Sequence, residues 1–235
     1  MKKVVVANMK MQLTKFEVEE YINKLDDFKS NDIELIVCPS CLYLNLFNSS
    51  NYSIGSQNVF YENRGKYTGE ISPIQLKDYF VKYVIVGHSE RRRYFNETND
   101  IINKKIKACI DNDLKVILCI GEENENSSSI LNTLDNQIEL ALENIYNLLP
   151  ENIIFAYEPV YAIGTNKSIS NKNISYIVDY IKEKINKKYN FIPTVLYGGS
   201  VNENNIKNIL LYCDGAMIGD FCLKRDKFIE TINSL

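Results

Sequence analysis

Eight short runs of β-branched and aliphatic residues alternate along this chain with segments whose apolar residues recur at helical spacing. The strand candidates are Lys3–Ala7, Leu35–Cys38, Ser53–Gln57, Tyr83–Gly87, Lys115–Ile120, Ile153–Tyr157, Thr194–Tyr197 and Gly215–Ile218. The helix candidates are Lys15–Phe28, Ile74–Phe80, Asn99–Asp111, Ile130–Leu148, Asn171–Lys187, Asn204–Leu211 and Arg225–Ile232. Several strand runs are almost continuously Val, Ile and Leu, which is typical of parallel strands covered on both faces. The alternation predicts strand–helix units in a parallel sheet.

The number of units and the chain length favour a closed barrel over an open sheet. Eight equal units in 235 residues approach the size of one (β/α)8 barrel, about 250 residues. An open nucleotide-binding sheet carries G-x-G-x-x-G after its first strand, whereas Asn8-Met9-Lys10 stands at that place here. We therefore predict a closed (β/α)8 barrel formed by one α/β domain, residues 1–235.

Charge and hydropathy exclude several classes of partner. The formal net charge of −3 gives no bulk attraction to nucleic acid or to anionic membranes, so neither is expected as a partner. The first apolar run becomes polar at Asn8, too early for the apolar region of a signal peptide. No later run approaches the ~20 apolar residues that cross a bilayer. We expect a cytoplasmic protein.

The six cysteines do not have the spacing of a disulfide framework. Cys38-Pro39-Ser40-Cys41 has the spacing of a redox pair or of half a zinc site. However, no second pair follows, and His88 is the sole histidine. Two reduced thiols are the preferred interpretation, and neither a metal nor a cofactor is expected.

Residues with catalytic potential follow five of the predicted strands. Lys10, His88 and Glu158 follow the first, fourth and sixth strands, and Gly198-Gly199-Ser200 and Gly219-Asp220 follow the last two. Because the carboxyl ends of the strands of a parallel barrel share one mouth, these residues should meet. Glu158 and the apolar segment after it indicate either a catalytic base with a lid or a strand that merely runs into a loop. The convergence favours the catalytic base.

Several motifs stand in a fixed order at the predicted strand ends. They are Asn8-Met9-Lys10, Ser56-Gln57-Asn58, Thr68-Gly69-Glu70-Ile71, Gly87-His88-Ser89-Glu90-Arg91-Arg92, Cys119-Ile120-Gly121-Glu122, Tyr157–Lys167, Tyr197-Gly198-Gly199-Ser200-Val201 and Asp214-Gly215. A Gly-Gly-Ser turn alone is weak evidence, but the motifs around His88 and Glu158 are specific. Over its whole length the chain resembles triosephosphate isomerase.

The resemblance implies isomerisation of triose phosphates through an enediolate, in a family that is a much-studied case of tuned acid and base. Glu158 would be the base, and a closed, dry site would raise its pKa. His88 would act as a neutral imidazole donor, because a helix N-terminus disfavours imidazolium. Lys10 would stabilise the negative charge of the substrate and Glu90 would pair with Lys10, while Asn8 would orient the site.

The resemblance also implies a phosphate site and a closing lid. Backbone N–H groups at Gly164, Ser200, Gly219 and Asp220 would bind the substrate phosphate. The lid would exclude water from the substrate; its residues would be Pro159, Val160, Tyr161, Ala162, Ile163, Gly164, Thr165, Asn166 and Lys167.

A symmetric homodimer is a further implication of the resemblance. In the family the long third loop, Asn58–Ile71 here, reaches into the neighbouring subunit. Gln57, Thr68, Glu70 and Arg91 would be among the contacts. The alternative is an ordinary loop in solvent.

Six residues depart from the family pattern. Asp220 stands where most relatives carry glycine, and Phe221 and Cys222 stand where small residues are usual. Tyr161 replaces a tryptophan, Asn166 replaces a glycine, and Ile169 replaces a small residue. We expect the Asp220 amide still to donate while its carboxylate points to solvent or to a lysine. These changes should affect the lid and substrate affinity more than the chemistry.

Two other functions are compatible with the fold and the phosphate turns. One is a barrel enzyme that acts on a larger phosphorylated substrate, and the other is a non-catalytic phosphate-binding relative. The joint presence of Lys10, His88 and Glu158 argues against both.

Overall fold

The computed structural model describes residues 2–48, 50–124, 130–165 and 168–235. Eight parallel strands form a closed barrel in chain order. They are β1 Lys3–Asn8, β2 Ile33–Cys38, β3 Ser53–Ser56, β4 Tyr83–Val86, β5 Lys115–Ile120, β6 Ile153–Tyr157, β7 Thr194–Tyr197 and β8 Gly215–Ile218. The predicted barrel is confirmed, and each predicted strand agrees with an observed one to within two residues at either end.

Pairing of β1 with β8 closes the barrel. Val4 of β1 lies opposite Gly215 of β8, and Ala7 lies opposite Ile218. A side chain at Gly215 would overlap the carbonyl oxygen of Val4, so only glycine allows β8 to approach β1 this closely.

Alternate residues of each strand enter two different cores, which explains the almost continuous apolar runs. In β1, Val4 and Val6 join a cluster contributed by the strands alone, inside the barrel. Val5 and Ala7 join the larger cluster between the strands and the surrounding helices. Burial on both faces therefore leaves polar residues only at the strand ends or next to them, as at Glu34 of β2.

Eight helices surround the barrel in the described residues. They are α1 Lys15–Leu25, α2 Pro73–Asp78, α3 Ser89–Phe95, α4 Asn99–Asp111, α5 Ile130–Ala141, α6 Asn171–Tyr189, α7 Ile206–Ile209 and α8 Arg225–Asn233. Short 3₁₀ turns lie at Cys41–Leu46, Pro150–Asn152, Val160–Ala162 and Asp220–Leu223. Ser72 caps α2 by accepting a hydrogen bond from the Gln75 amide at 3.3 Å, and Pro73 occupies the first turn.

The helix predicted to reach Phe28 ends at Leu25, and the larger errors lie in two other helices. The helix predicted to reach Leu148 ends at Ala141, and the chain takes a left-handed conformation at Asn144, with φ of 56°. The helix predicted over Asn204–Leu211 is the single turn α7. In both cases apolar spacing continues into turns, because residues in turns also pack against the barrel.

Cys38 is a free, buried cysteine, and Cys41 is free and exposed. Burial raises the pKa of the Cys38 thiol well above its usual range. The two sulfur atoms are not bonded to each other in the structure. No helix in the described ranges is long and apolar enough to cross a membrane.

Candidate active site

The Lys10 backbone is held in an unusual conformation just beyond β1. Its φ is 51°, a left-handed value that is uncommon outside glycine. The Asn8 side-chain oxygen accepts from the Lys10 amide at 3.1 Å, and the Gln57 side-chain amide donates to the Lys10 carbonyl at 2.9 Å. The Lys10 ammonium lies 2.7 Å from Oε1 of Glu90. Backbone and side chain of Lys10 therefore have separate anchors, and the expected pairing with Glu90 is present.

His88 caps the N-terminus of α3, as the sequence indicates. Its Nδ1 accepts from the backbone N–H of Glu90 at 3.2 Å, and its Nε2 lies 3.1 Å from Oε1 of Glu158. A ring that accepts at Nδ1 and donates from Nε2 is neutral imidazole with its proton on Nε2. The imidazole is 6% exposed, so it is aimed by these contacts and not by water.

Glu158 is 2% exposed and lies between two glycines at the end of β6. Its second oxygen, Oε2, accepts from the Ser89 amide at 3.1 Å. A side chain at Gly121 would overlap the backbone of Glu158, and a Cβ at Gly198 would lie 3.0 Å from the Cγ of Glu158. Glycine is therefore required at Gly121 by the close approach of the Glu158 backbone, and a side chain at Gly198 would crowd the Glu158 side chain.

Contact between His88 and Glu158 shifts both groups. Burial acts to lower the pKa of His88 and to raise the pKa of Glu158, because it disfavours each charged form. Their mutual attraction outweighs burial, so the pKa of His88 is raised and that of Glu158 is lowered. The expectation of a raised pKa for Glu158 is wrong for this conformation, in which two donors stabilise the carboxylate. The two groups titrate as a pair.

The lid segment contacts the loop that follows β7. Ser200 donates its hydroxyl to the Ala162 carbonyl at 2.7 Å, and the Tyr197 hydroxyl accepts from the Ile169 amide at 3.2 Å. Gly164 has φ of 73° and open space around it, so its backbone is free to approach a ligand. Of the predicted lid, Asn166 and Lys167 lie outside the described residues.

One cavity brings together most of the predicted site. Its wall contains Asn8, Lys10, His88, Glu158, Gly164, Ser200, Gly219 and Asp220. Glu90 is not in this wall; its carboxylate contacts Lys10 and its backbone N–H contacts His88. Asp220 is exposed and begins the 3₁₀ turn that follows β8.

The predicted dimer residues lie on the other side of Lys10 and His88. Gln57, Glu70 and Arg91 line a second cavity together with Met11 and Phe95, and Lys10 and His88 form part of its wall. Thr68 is exposed nearby on the third loop.

The comparison with known families agrees with this geometry. The family model described as triosephosphate isomerase matches residues 3–235, nearly the whole chain. The chain belongs to this family. The triosephosphate isomerase of Thermodesulfovibrio yellowstonii is 41% identical, with 98% of each chain covered. Those of Dictyoglomus turgidum and Alkaliphilus metalliredigens are 38% and 36% identical, with 99% of each chain covered.

Within this triosephosphate isomerase barrel, sequence reasoning missed several contacts. Gln57 was expected only at a subunit interface, but its amide also donates to the carbonyls of Lys10 and Cys38, each at 2.9 Å. The Ser89 amide donates a hydrogen bond to Glu158, and Gly121 packs against the Glu158 backbone. No local sequence pattern indicates either contact. Only the distance between strand ends identifies such residues.

Proposed function

We propose that this chain interconverts dihydroxyacetone phosphate and D-glyceraldehyde 3-phosphate in glycolysis and gluconeogenesis. A proton moves between adjacent carbons through an enediolate. Membership of the triosephosphate isomerase family supports the reaction. The single observation that carries the residue roles is the shared cavity wall of Lys10, His88 and Glu158.

Glu158 is the base that removes the proton and returns it to the neighbouring carbon. Its carboxylate must first turn away from His88 Nε2 and the Ser89 amide, since both of its oxygens are engaged there. The turn removes the contacts that lower its pKa and leaves the burial that raises it. The carboxylate is therefore a stronger base next to the substrate than in the resting contact.

The same turn releases the Nε2–H of His88 to donate to the substrate oxygen that becomes negative. The Glu90 amide keeps Nδ1 unprotonated, so the ring can pass a proton between the two oxygens as a neutral donor. Lys10 remains a cation beside Glu90 and stabilises the enediolate electrostatically. Asn8 orients Lys10 through the Lys10 amide.

Backbone N–H groups at Gly164, Ser200, Gly219 and Asp220 bind the phosphate at the far end of the same cavity. Closure of the lid over the substrate, residues 159–167, excludes water and prevents loss of phosphate from the enediolate. The hydrogen bond from Ser200 to Ala162 joins the loop after β7 to the lid. A phosphate bound by this loop therefore also affects the position of the lid.

The test is an assay that couples glyceraldehyde 3-phosphate formation to a dehydrogenase. Glu158→Asp retracts the carboxylate by about one ångström and should lower kcat about 100-fold with little change in KM. Glu123→Asp, at an exposed residue of the loop that follows β5, is the matched control and should behave as wild type. Normal turnover in Glu158→Asp would remove Glu158 from the role of base.

We also propose that the enzyme is a homodimer. The third loop and the exposed apolar residues beside it support this: Met11 is 94% exposed and Phe95 is 65% exposed, next to Lys10 and His88. A second copy would cover this surface and fix the active-site residues from behind.

Met11→Arg should give a monomer in sedimentation velocity and lower kcat at least about tenfold, because a buried unpaired charge opposes association. Ile192→Arg, at an exposed apolar residue before β7, should remain dimeric and active. A wild-type protein that sediments as an active monomer contradicts the proposal.

We further assign the enzyme to the cytoplasm and all of residues 1–235 to one catalytic domain. Free cysteines are usual in a reducing compartment. Fractionation of cells and limited proteolysis test these two assignments; periplasmic recovery or two stable fragments would contradict them.

A further inference from the structure

Arg92 lies on α3, four residues after His88, and joins three elements near the active site. Its Nε donates to the Gly87 carbonyl at 2.8 Å. Its two terminal nitrogens donate to the side chain of Asn99 at 2.7 Å and to the Cys119 carbonyl at 3.2 Å. The end of β4, the start of α4 and the end of β5 are thus held by one guanidinium.

The contact with Gly87 acts directly on the residue that carries the imidazole. The Gly87 carbonyl belongs to the peptide bond that leads into His88, so Arg92 fixes the orientation of that peptide. Gly87 has φ of 73°, and a Cβ there would lie 3.1 Å from Arg92. The backbone before His88 therefore has a glycine conformation and a fixed hydrogen-bond donor, both of which set the direction of the ring.

The positive charge of Arg92 is not neutralised by a carboxylate of its own. Among the residues that the structure describes, no ion pair of Arg92 lies within 4.0 Å, and its hydrogen bonds go to carbonyl and amide oxygens. Burial lowers the pKa of Arg92, whereas the carboxylates of Glu158 and Glu97 raise it. Arg92 and Glu158 line the same cleft, so this cation lies on the same side of the barrel mouth as the carboxylate.

We propose that Arg92 is a positioning residue for the isomerisation, fixing the peptide before His88 and favouring the carboxylate form of Glu158. The inference rests on the proposed function and adds a residue that touches no substrate atom. The alternative is a clamp between β4 and β5 that affects only stability.

The two interpretations differ in their effect on proton binding. Loss of a nearby cation makes the Glu158 carboxylate and a neutral His88 less favourable, so the pKa of each group rises. Glu158 also faces His88, Lys10 and the Ser89 amide, and these remain in an Arg92 variant.

Other groups near the guanidinium are unchanged in the variant too. They are Glu97, Asn99, Cys119, Arg93 and Glu123. The acidic limb of kcat/KM should therefore move to higher pH, by about half a unit or more.

The sole histidine makes this measurable without substrate. In protein labelled with ¹⁵N at histidine, the two ring nitrogens of His88 report tautomer and titration with no overlap from another histidine. In Arg92→Met the His88 titration should shift to higher pH by about half a unit, and kcat should fall about tenfold or more with KM within about twofold. Arg93→Met, at the exposed residue next to Arg92, should match wild type in its His88 titration and in its kinetic constants.

Arg92→Lys keeps the positive charge but loses the planar set of donors that contacts three elements. The His88 titration of this variant should therefore match wild type, while its kcat falls about threefold to tenfold. This variant also tests the proposal if Arg92→Met does not fold. A folded Arg92→Met with wild-type titration, or an Arg92→Lys with wild-type kcat, overturns it. The His88 titration is measured without substrate, so it separates failure of this proposal from failure of the isomerase assignment. If only the isomerase assignment were wrong, the wild type would lack activity and Arg92→Met would still shift the His88 titration.

Discussion

At the residue scale, the site depends on where a side chain cannot be tolerated as much as on which side chains are present. Gly121 and Gly198 flank Glu158 so closely that a Cβ at either would contact it. Glu158 itself would look like any strand-end glutamate without them. The position of each functional side chain is therefore set by the residues packed around it.

Among the departures from the family pattern, Asp220 lies in the wall of the cavity that we propose binds the substrate phosphate. Asp220 is exposed and lines the cavity together with Ser200 and Gly219. A carboxylate ~4 Å from a dianion in a water-like dielectric would cost on the order of 1 kcal/mol for each charge pair. We expect the side chain to remain in solvent, so that only its amide meets the phosphate.

Asp220→Gly should therefore change KM by less than about twofold at physiological ionic strength, because screening weakens an exposed charge. Asp220→Asn removes the charge at constant size and serves as the control. A severalfold lower KM in both variants would show that the carboxylate does repel the phosphate. The measurement is steady-state kinetics at two salt concentrations.

At the element scale, β7 and the loop after it hold both ends of the lid. The Tyr197 hydroxyl accepts from Ile169 beyond the far end of the lid, and Ser200 contacts Ala162 near its start. If the lid closes as we propose, these two hydrogen bonds couple its movement to β7 and to the loop after it.

Tyr197→Phe removes the hydrogen bond that holds Ile169, just beyond the lid, and should weaken the anchoring of the far end of the lid. A net loss of about 1 kcal/mol corresponds to roughly a fivefold fall in kcat/KM. Tyr189→Phe is the control, since that hydroxyl contacts the Leu142 and Ile145 carbonyls, far from the site. Equal kinetic losses in both variants would point to general destabilisation, which thermal unfolding measures independently.

At the scale of the whole molecule, closure of the barrel brings the distant strand ends into one mouth. Closure depends on β8 lying between β1 and β7, where a side chain at Gly215 would overlap the Val4 carbonyl. Without closure, Lys10 from the first strand and Gly219 from the last would not share a cavity.

Gly215→Ala should lower the free energy of unfolding by about 3 kcal/mol, because backbone in a packed barrel cannot move aside. Gly69→Ala meets no atom of its own subunit within 4 Å, so within the subunit it should cost only the strain of its φ of 93°, about 1 kcal/mol. Denaturation at one fixed protein concentration compares the two, since association would alter both. A smaller loss at Gly215 than at Gly69 would show that the β1–β8 contact adapts.

The sequence by itself determined the architecture and the chemistry-bearing positions. Burial on both faces of a strand demands apolar residues throughout, so Lys115–Ile120 is recognisable as β5 to the residue, and polar residues mark where strands end. Helix ends were less accurate, as in α5, because apolar spacing extends into packed turns.

Only the tertiary structure decided which residues are hydrogen-bonded to each other at the site. Ser89 and Glu158 are 69 positions apart, and Gln57 and Lys10 are 47 apart, yet each pair is hydrogen-bonded. The direction of the Glu158 pKa shift likewise depends on which donors face the carboxylate. Local patterns encode burial and backbone geometry, whereas contacts between strand ends arise only when the barrel closes, and these contacts set the charges at the site.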